Sequence, residues 1–377
     1  MEEDQAPINM EQLPEVEVET IDENDGLMEK PFDPTLINIE TKTPSLDTLI
    51  KRIKSKSVEL DTENYFQRKD DLWDKQQQSR LIESIIIRFP LPAFFFDASD
   101  DNKWLVVDGL QRLSSIRNFC VDKTLKLTNL EFLSQFEGKY WDDLPMDIQR
   151  VIEESQVVIY KIMPGTPTDV KFNIFKRINT GGLILEAQEI RHALFQGAPS
   201  KFIAELAKNN AFLKATQWRI RTSRMLDRDF ANRFLGFYLF GYENYTDLDS
   251  YMSKAMAELY HKDEEQLAEI QEVFTKAMKV SRKIFGEQAF RKVYKEFKRL
   301  PPINKALFEV LSTQFALLTD DEREQLIDKK VIFKKGLKTL LAEDGAFYDS
   351  VTSSTGTRGR VLTRHRKIKE LINETIA

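Results

Sequence analysis

The residues best equipped for chemistry lie close together: Asp108, Gln111 and Arg112, with Ser114 and Ser115 just beyond, in the stretch LVVDGLQRLSSI at 105–116. An apolar run, Trp104-Leu105-Val106-Val107, stops at Asp108-Gly109. Leu113, Ile116 and Cys120 then recur at three- and four-residue steps. That pattern predicts a buried strand, a tight turn and a helix. Gly109 tolerates a positive φ, so the chain can turn sharply there. The first amides of a helix lack internal partners and carry the positive end of its dipole. Arg112 in that first turn adds a planar guanidinium fork that matches phosphate. Gln111, Ser114 and Ser115 add neutral hydrogen-bonding groups. Together they make a pocket for an anion such as a nucleotide phosphate. A plainer reading stands beside it, because Asp-Gly is a common turn and an arginine in a first helical turn is ordinarily solvated. A carboxylate at Asp108 repels a phosphate unless a cation lies between them. A magnesium ion, which prefers one or two carboxylates plus phosphate oxygens, would serve. Equally, Asp108 could order the turn or pair with Arg112.

The elements that must position these residues follow from periodicity. Ser45 can cap a helix carrying Leu46, Leu49, Ile50 and Ile53, and a short extended piece follows at 57–60. The loop 65–73 is dense in aromatic and charged side chains. Leu81, Ile82, Ile85, Ile86 and Phe89 mark one face of a helix stopped by Pro90 and Pro92. Residues 93–96 read as a strand and 97–103 as a polar turn, ahead of the strand that delivers Asp108. Short extended pieces are expected around 125–127 and 130–133. A helix opens at Pro145 and runs through Ile148 and Ile152, and a strand is expected at 157–162. A helix over 169–178 ends at Asn179-Thr180-Gly181-Gly182, with another at 186–195. Strands alternate with helices up to about residue 165, which indicates a mixed α/β domain over 42–165. Residues 166–377 read as mainly helical, with 166–197 completing the pocket and 198–377 available to bind DNA or a partner.

Composition narrows the function classes. The chain has 377 residues, 41% hydrophobic and 31% charged, enough for two soluble domains. No run approaches a membrane span and no apolar signal core is present, so a cytoplasmic protein is expected. Cys120 is the single cysteine, which excludes an internal disulfide and a multi-cysteine zinc site. His192, His261 and His365 are far apart, without the paired spacing of a metal site. The net charge of −6 hides an asymmetry: residues 1–30 hold eleven acids and one base, so the rest of the chain is +4. The leader 1–41 is expected to be disordered. It could repel nucleic acid, occupy a basic groove or act as a solubilising tail. Clustered bases at 219–228, 279–299 and 358–369 suit a phosphate backbone, though such clusters are also common on ordinary helices. The DNA-contact candidates there are Arg219, Arg221, Lys292, Lys295, Arg364 and Arg366.

Several motifs in order carry a family resemblance. They are Gln67-Arg68 before Trp73, the run Ser79-Arg80-Leu81-Ile82-Glu83-Ser84-Ile85, Pro90-Leu91-Pro92, and Val107-Asp108-Gly109-Leu110-Gln111-Arg112-Leu113. Phe175-Lys176-Arg177-Ile178-Asn179-Thr180-Gly181-Gly182 and Glu189-Ile190-Arg191 follow. Over roughly 40–200 the chain resembles the N-terminal domain of GmrSD-type modification-dependent restriction proteins, whose hallmark is Asp-Gly-Gln-Gln-Arg. That family is similar in turn to the ParB and sulfiredoxin fold. The resemblance implies an α+β protein: a ParB/sulfiredoxin-like mixed domain followed by a mainly helical one. It also implies a nucleoside triphosphate site tied to recognising or cleaving foreign, often modified, DNA.

Carried across residue by residue, the hallmark falls on Asp108, Gly109, Gln111 and Arg112, with Asp108, Gln111 and Arg112 in the catalytic roles. Phosphate contacts fall on Gln67, Arg68, Gly109, Arg112, Arg177, Asn179, Thr180 and Gly181, and the residue reading above adds Ser114. Leu110 departs from the family's glutamine, which removes a polar group and bears on hydrolysis more than on binding. No His-Asn-His nuclease module follows, so cleavage would fall to the first domain or to a separate nuclease subunit. Two function classes remain: a nucleotide-hydrolysing, DNA-targeting defence enzyme, or a nucleotide-gated DNA-binding or regulatory module without its own chemistry.

Overall fold

In the computed structural model, which describes residues 15–17, 19, 34–60, 73–178, 185–295 and 299–377, the chain divides into two units. One is Phe32–Leu194. The other joins Met1–Pro31 to Phe195–Ala377. The first is mixed α+β and the second is helical.

The described strands of the first unit are β1 (Ile39–Lys42), β2 (Val58–Glu59), β3 (Phe94–Asp97), β4 (Trp104–Asp108) and β5 (Ile159–Ile162). They form one sheet in the order β1-β5-β3-β4-β2. β3 runs parallel to β5 and antiparallel to β4, β2 runs parallel to β4, and β1 is antiparallel to β5. Successive side chains on a strand point to opposite faces. Phe94, Phe96, Trp104 and Val106 therefore join one core. It is built with Leu46, Leu49 and Ile50 of α1 (Leu46–Lys54), Leu81, Ile82 and Ile85 of α2 (Lys75–Ile86), and Leu113 and Ile116 of α3 (Leu110–Ile116). Past α4 (Met146–Glu154), the helices α5 (Thr168–Ile178) and α6 (Ala187–Leu194) cover the other face. Val170, Phe172, Ile174, Phe175 and Ile190 pack there with Val107 and Ile162, and Phe95 and Leu105 lie alongside. Burial on both faces is why β3 and β4 read as continuous apolar runs.

Four sequence expectations change. The unit boundary falls at 194/195 and not near 165, because α5 and α6 are the second cover of the sheet. The leader is not wholly disordered: Ile39–Lys42 is the edge strand β1, and Val16 bridges Ile303 in the second unit. The pieces near 125–133 are not strands. Their loop is held by the buried Glu83, whose carboxylate accepts the backbone N–H groups of Glu131, Phe132 and Leu133 at 3.0, 2.7 and 2.9 Å. The helix signalled by Leu81–Ile86 starts earlier, at a capping box between Asp74 and Gln77. It stops before Phe89. Arg88 takes φ +61°, Phe89 donates its N–H back to the Ser84 carbonyl, and the Phe89 ring is left exposed.

In the second unit the helices Leu226–Phe240, Glu264–Phe285, Lys305–Ala316 and Arg358–Ile376 gather around an aromatic core that includes Phe230, Phe234, Phe274 and Phe308. Among the described residues no helix is long and apolar enough to cross a membrane.

Candidate functional site

The turn after β4 has the expected form. Gly109 caps α3 at φ +98°. A Cβ at that position would stand 2.5 Å from Cδ1 of Phe94. Glycine is thus required both by conformation and by the Phe94 ring beneath it.

Arg112 faces inward and is 9% exposed. One terminal nitrogen donates to the Pro92 carbonyl. The other donates to the Ala93 carbonyl at 3.1 Å and to Oδ2 of Asp108 at 2.9 Å. The guanidinium also lies 4.6 Å over the Phe94 ring. Burial lowers its pKa and the Asp108 carboxylate works against that shift. Arg112 therefore clamps the start of α3 to the chain entering β3, and the fork expected to meet a phosphate is directed at internal acceptors.

The neighbouring residues have distinct placements. Asp108 keeps a side chain 37% exposed while one oxygen holds Arg112. Oε1 of Gln111 accepts the Trp73 N–H at 3.1 Å. Ser114 is half-buried, and Ser115 is buried with its hydroxyl on the Gln111 carbonyl at 2.8 Å. Leu110 packs beside Leu105, Leu185 and Ala193. An apolar seat there accounts for the absent glutamine, whose amide would lose its solvent partners. Arg177 is exposed in the last turn of α5. Gln67, Arg68, Asn179, Thr180 and Gly181 lie outside the described residues. Among the described residues no three Asp, Glu, His or Cys side chains converge as metal ligands.

Sequence reasoning missed a second polar cluster on the sheet. Asp97, at the end of β3, pairs with Lys171 of α5 at 2.9 Å, and Ser99 joins both. The signal was a carboxylate closing an apolar strand, which the sequence reading placed in a polar turn.

The basic candidates of the helical unit separate. Arg364 is 1% exposed, and its guanidinium reaches the Glu309 carboxylate and the carbonyls of Ser350 and Thr355. It cannot touch DNA, which corrects that assignment. Arg228 is also buried. Arg219 pairs with Glu15 at 2.9 Å, and Lys292 pairs with Glu17 at 2.5 Å. Arg366 pairs with Glu370 one turn along its helix. Lys295 lies 5.6 Å from the Tyr294 ring, and Arg221 is exposed. His365 is buried between Glu309 and Gln314, stacked on Phe237 and Tyr242. It belongs to the core of this unit, and His192 is buried as well.

No curated protein and no solved structure matches the chain. Residues 46–196 match the family model described as the GmrSD restriction endonuclease, N-terminal domain. The match begins at the first residue of α1 and ends two residues past the boundary of the first unit, so it takes in the glycine turn, the Arg112 clamp and both covers of the sheet. Over residues 46–196 the chain is thus similar to the N-terminal domain of GmrSD-type restriction endonucleases.

Proposed function

We propose that this protein is a nucleotide-using, DNA-targeting component of a modification-dependent restriction system. The turn between β4 and α3 takes the nucleotide, and the helical unit takes DNA. The family match supports the restriction setting. The mixed sheet, with a helix entered directly from β4 through a glycine, is consistent with a ParB/sulfiredoxin-like unit.

The observation that carries the nucleotide reading is Asp108. Its carboxylate is fixed on one oxygen by a buried arginine and remains 37% exposed at the mouth of the turn. Such a carboxylate fits a magnesium ion arriving with a nucleotide, since that ion is content with one carboxylate, phosphate oxygens and water. Bound there, magnesium would neutralise phosphate charge. Arg112 holds Asp108 in place, and Gln111 is oriented through the Trp73 amide. The remaining phosphate contacts in this reading are Gln67, Arg68, Ser114, Arg177, Asn179, Thr180 and Gly181. DNA cleavage is left to a separate nuclease subunit.

A second reading, a nucleotide-gated DNA-binding module without hydrolysis, is favoured by the inward Arg112 and the apolar Leu110. Phosphoryl transfer gains most from positive charge aimed at the transferring group, and here the Arg112 guanidinium is engaged elsewhere. Phosphate release measured by malachite green across the nucleoside triphosphates, with and without DNA, is expected to exceed the blank and to disappear in Asp108→Asn. Calorimetric binding without release selects the second reading. Neither binding nor release rejects the nucleotide site.

A further inference from the structure

The acidic leader reaches cations of the helical unit far along the chain. Its backbone adds to the segment around Ile303: Glu17 donates its N–H to the Ile303 carbonyl at 2.8 Å, and the Ile303 N–H returns to the Glu15 carbonyl at 3.0 Å. In the sequence Glu15-Val16-Glu17-Val18-Glu19, acids occupy every second position. An extended chain places such side chains on one face, about 6.7 Å apart. Each of the three meets positive charge. Glu15 pairs with Arg219 at 2.9 Å. Glu17 takes Lys292 at 2.5 Å and the side-chain amide of Asn304 at 2.9 Å. Glu19 binds both terminal nitrogens of Arg233 at 2.8 Å, accepts the Thr355 hydroxyl at 2.8 Å and lies 3.6 Å from Lys305.

These contacts differ from ordinary surface ion pairs. Arg233 is 2% exposed, and its fork meets the Glu19 carboxylate in the two-point geometry that guanidinium also offers a phosphate. Asp229 and Glu309 stand close to the same cations, at 3.2 Å from Lys305 and 3.7 Å from Arg233. Burial raises the Glu19 pKa, but Arg233 and Lys305 outweigh it and keep the carboxyl well below the ordinary range. Beside Glu15 a cavity of about 180 Å³ is lined by Arg219, Arg291 and Arg299. Burial and the neighbouring Arg219 both push the pKa of Arg291 down, the mark of like charges held together.

We propose that Glu15, Glu17 and Glu19 stand in for successive phosphates of a DNA strand, so that the leader and DNA compete for one anion track on the helical unit. This inference rests on the DNA-targeting reading above. It makes the leader an internal competitor: DNA binds only after the strand on Ile303 is displaced, and affinity is set by that exchange. The like charges of Arg219 and Arg291 favour an anionic occupant beside them, whether leader or phosphate.

The test uses the full chain and a fluorescein-labelled DNA duplex followed by anisotropy over a salt series. The variant Glu15→Gln/Glu17→Gln/Glu19→Gln keeps shape and removes charge, and it should bind about tenfold more tightly than the parent at low salt, a change of about 1.4 kcal/mol. Adding Arg219→Glu and Lys292→Glu to that variant should abolish the gain and flatten the salt slope. Glu15→Gln/Glu17→Gln, which spares the buried Glu19, should show a smaller gain in the same direction and covers the case in which the triple variant fails to fold. Hydrogen exchange on the unaltered chain supplies an independent readout. Saturating DNA should deprotect the amides of Glu17 and Ile303. If the parent binds DNA and these amides stay protected, or if the glutamine variants bind no tighter, the competition is overturned while the DNA reading survives. If neither parent nor variants bind DNA at low salt, the DNA reading fails and this inference falls with it.

Discussion

Replacing Arg112 with Ala should destabilise the first unit by about 3–4 kcal/mol, whatever it does to ligand affinity. The structure supplies the terms. Two backbone carbonyls, of Pro92 and Ala93, lose a charged donor. Pro92 is exposed, so water recovers part of that loss, and about 1–1.5 kcal/mol for each bond is a fair value. The pair with Asp108 contributes at most about 1 kcal/mol, because that carboxylate is 37% exposed and screened. The cation over Phe94 adds about 0.5–1 kcal/mol. Denaturant unfolding read by tryptophan fluorescence measures the sum. Trp73, Trp104 and Trp141 lie in the first unit. Trp218 lies in the second and is 62% exposed, so a Trp218→Phe background isolates the signal at little cost. Arg112→Lys, which keeps the charge and loses the fork, should fall between the two. A loss below about 1 kcal/mol in Arg112→Ala would refute the clamp and return Arg112 to the role of a ligand-facing group.

Gly109→Ala should cost about 1–2 kcal/mol for the left-handed backbone and about 1–3 kcal/mol for displacing the Phe94 ring. The same fluorescence titration reads it, and a neutral result would mean that the turn relaxes freely. Glu83→Gln should weaken the unit by about 1–3 kcal/mol, since an amide cannot accept three N–H groups as a carboxylate does. Hydrogen exchange at residues 131–133 should rise with it, and unchanged exchange there would contradict the carboxylate anchor. In the helical unit, burial holds the His365 imidazole below its ordinary range of about 6.5. The folded state thus keeps it neutral while the unfolded chain takes up a proton as the pH falls through that value. Stability should therefore rise between about pH 5 and 7, by at most about 1.4 kcal/mol per pH unit, and His365→Gln should flatten the slope. Urea midpoints followed through Trp218 check this, and a slope that persists in the variant places the proton elsewhere.

Local interactions were legible in the sequence, and remote ones were not. The strand, glycine turn and helix at 104–116 follow from an apolar run, an Asp-Gly pair and a helical repeat, all expressed within a dozen neighbouring residues. The direction of Arg112 did not follow. Its acceptors at Pro92 and Ala93 lie some twenty residues upstream and reach it only because β3 pairs antiparallel with β4. The boundary at 194/195 was hidden for a similar reason: α5 and α6 are helices by local pattern, and nothing local says that they cover a sheet. Composition misread the leader most. An acidic segment poor in aromatic residues cannot bury enough apolar surface to fold by itself. What orders Glu15, Glu17 and Glu19 is a set of cations at Arg219, Arg233, Lys292 and Lys305, some two hundred residues or more away. Charge in one segment shows that a partner is needed. Only the tertiary structure, by bringing those cations to one strand, decides that the partner is the chain itself.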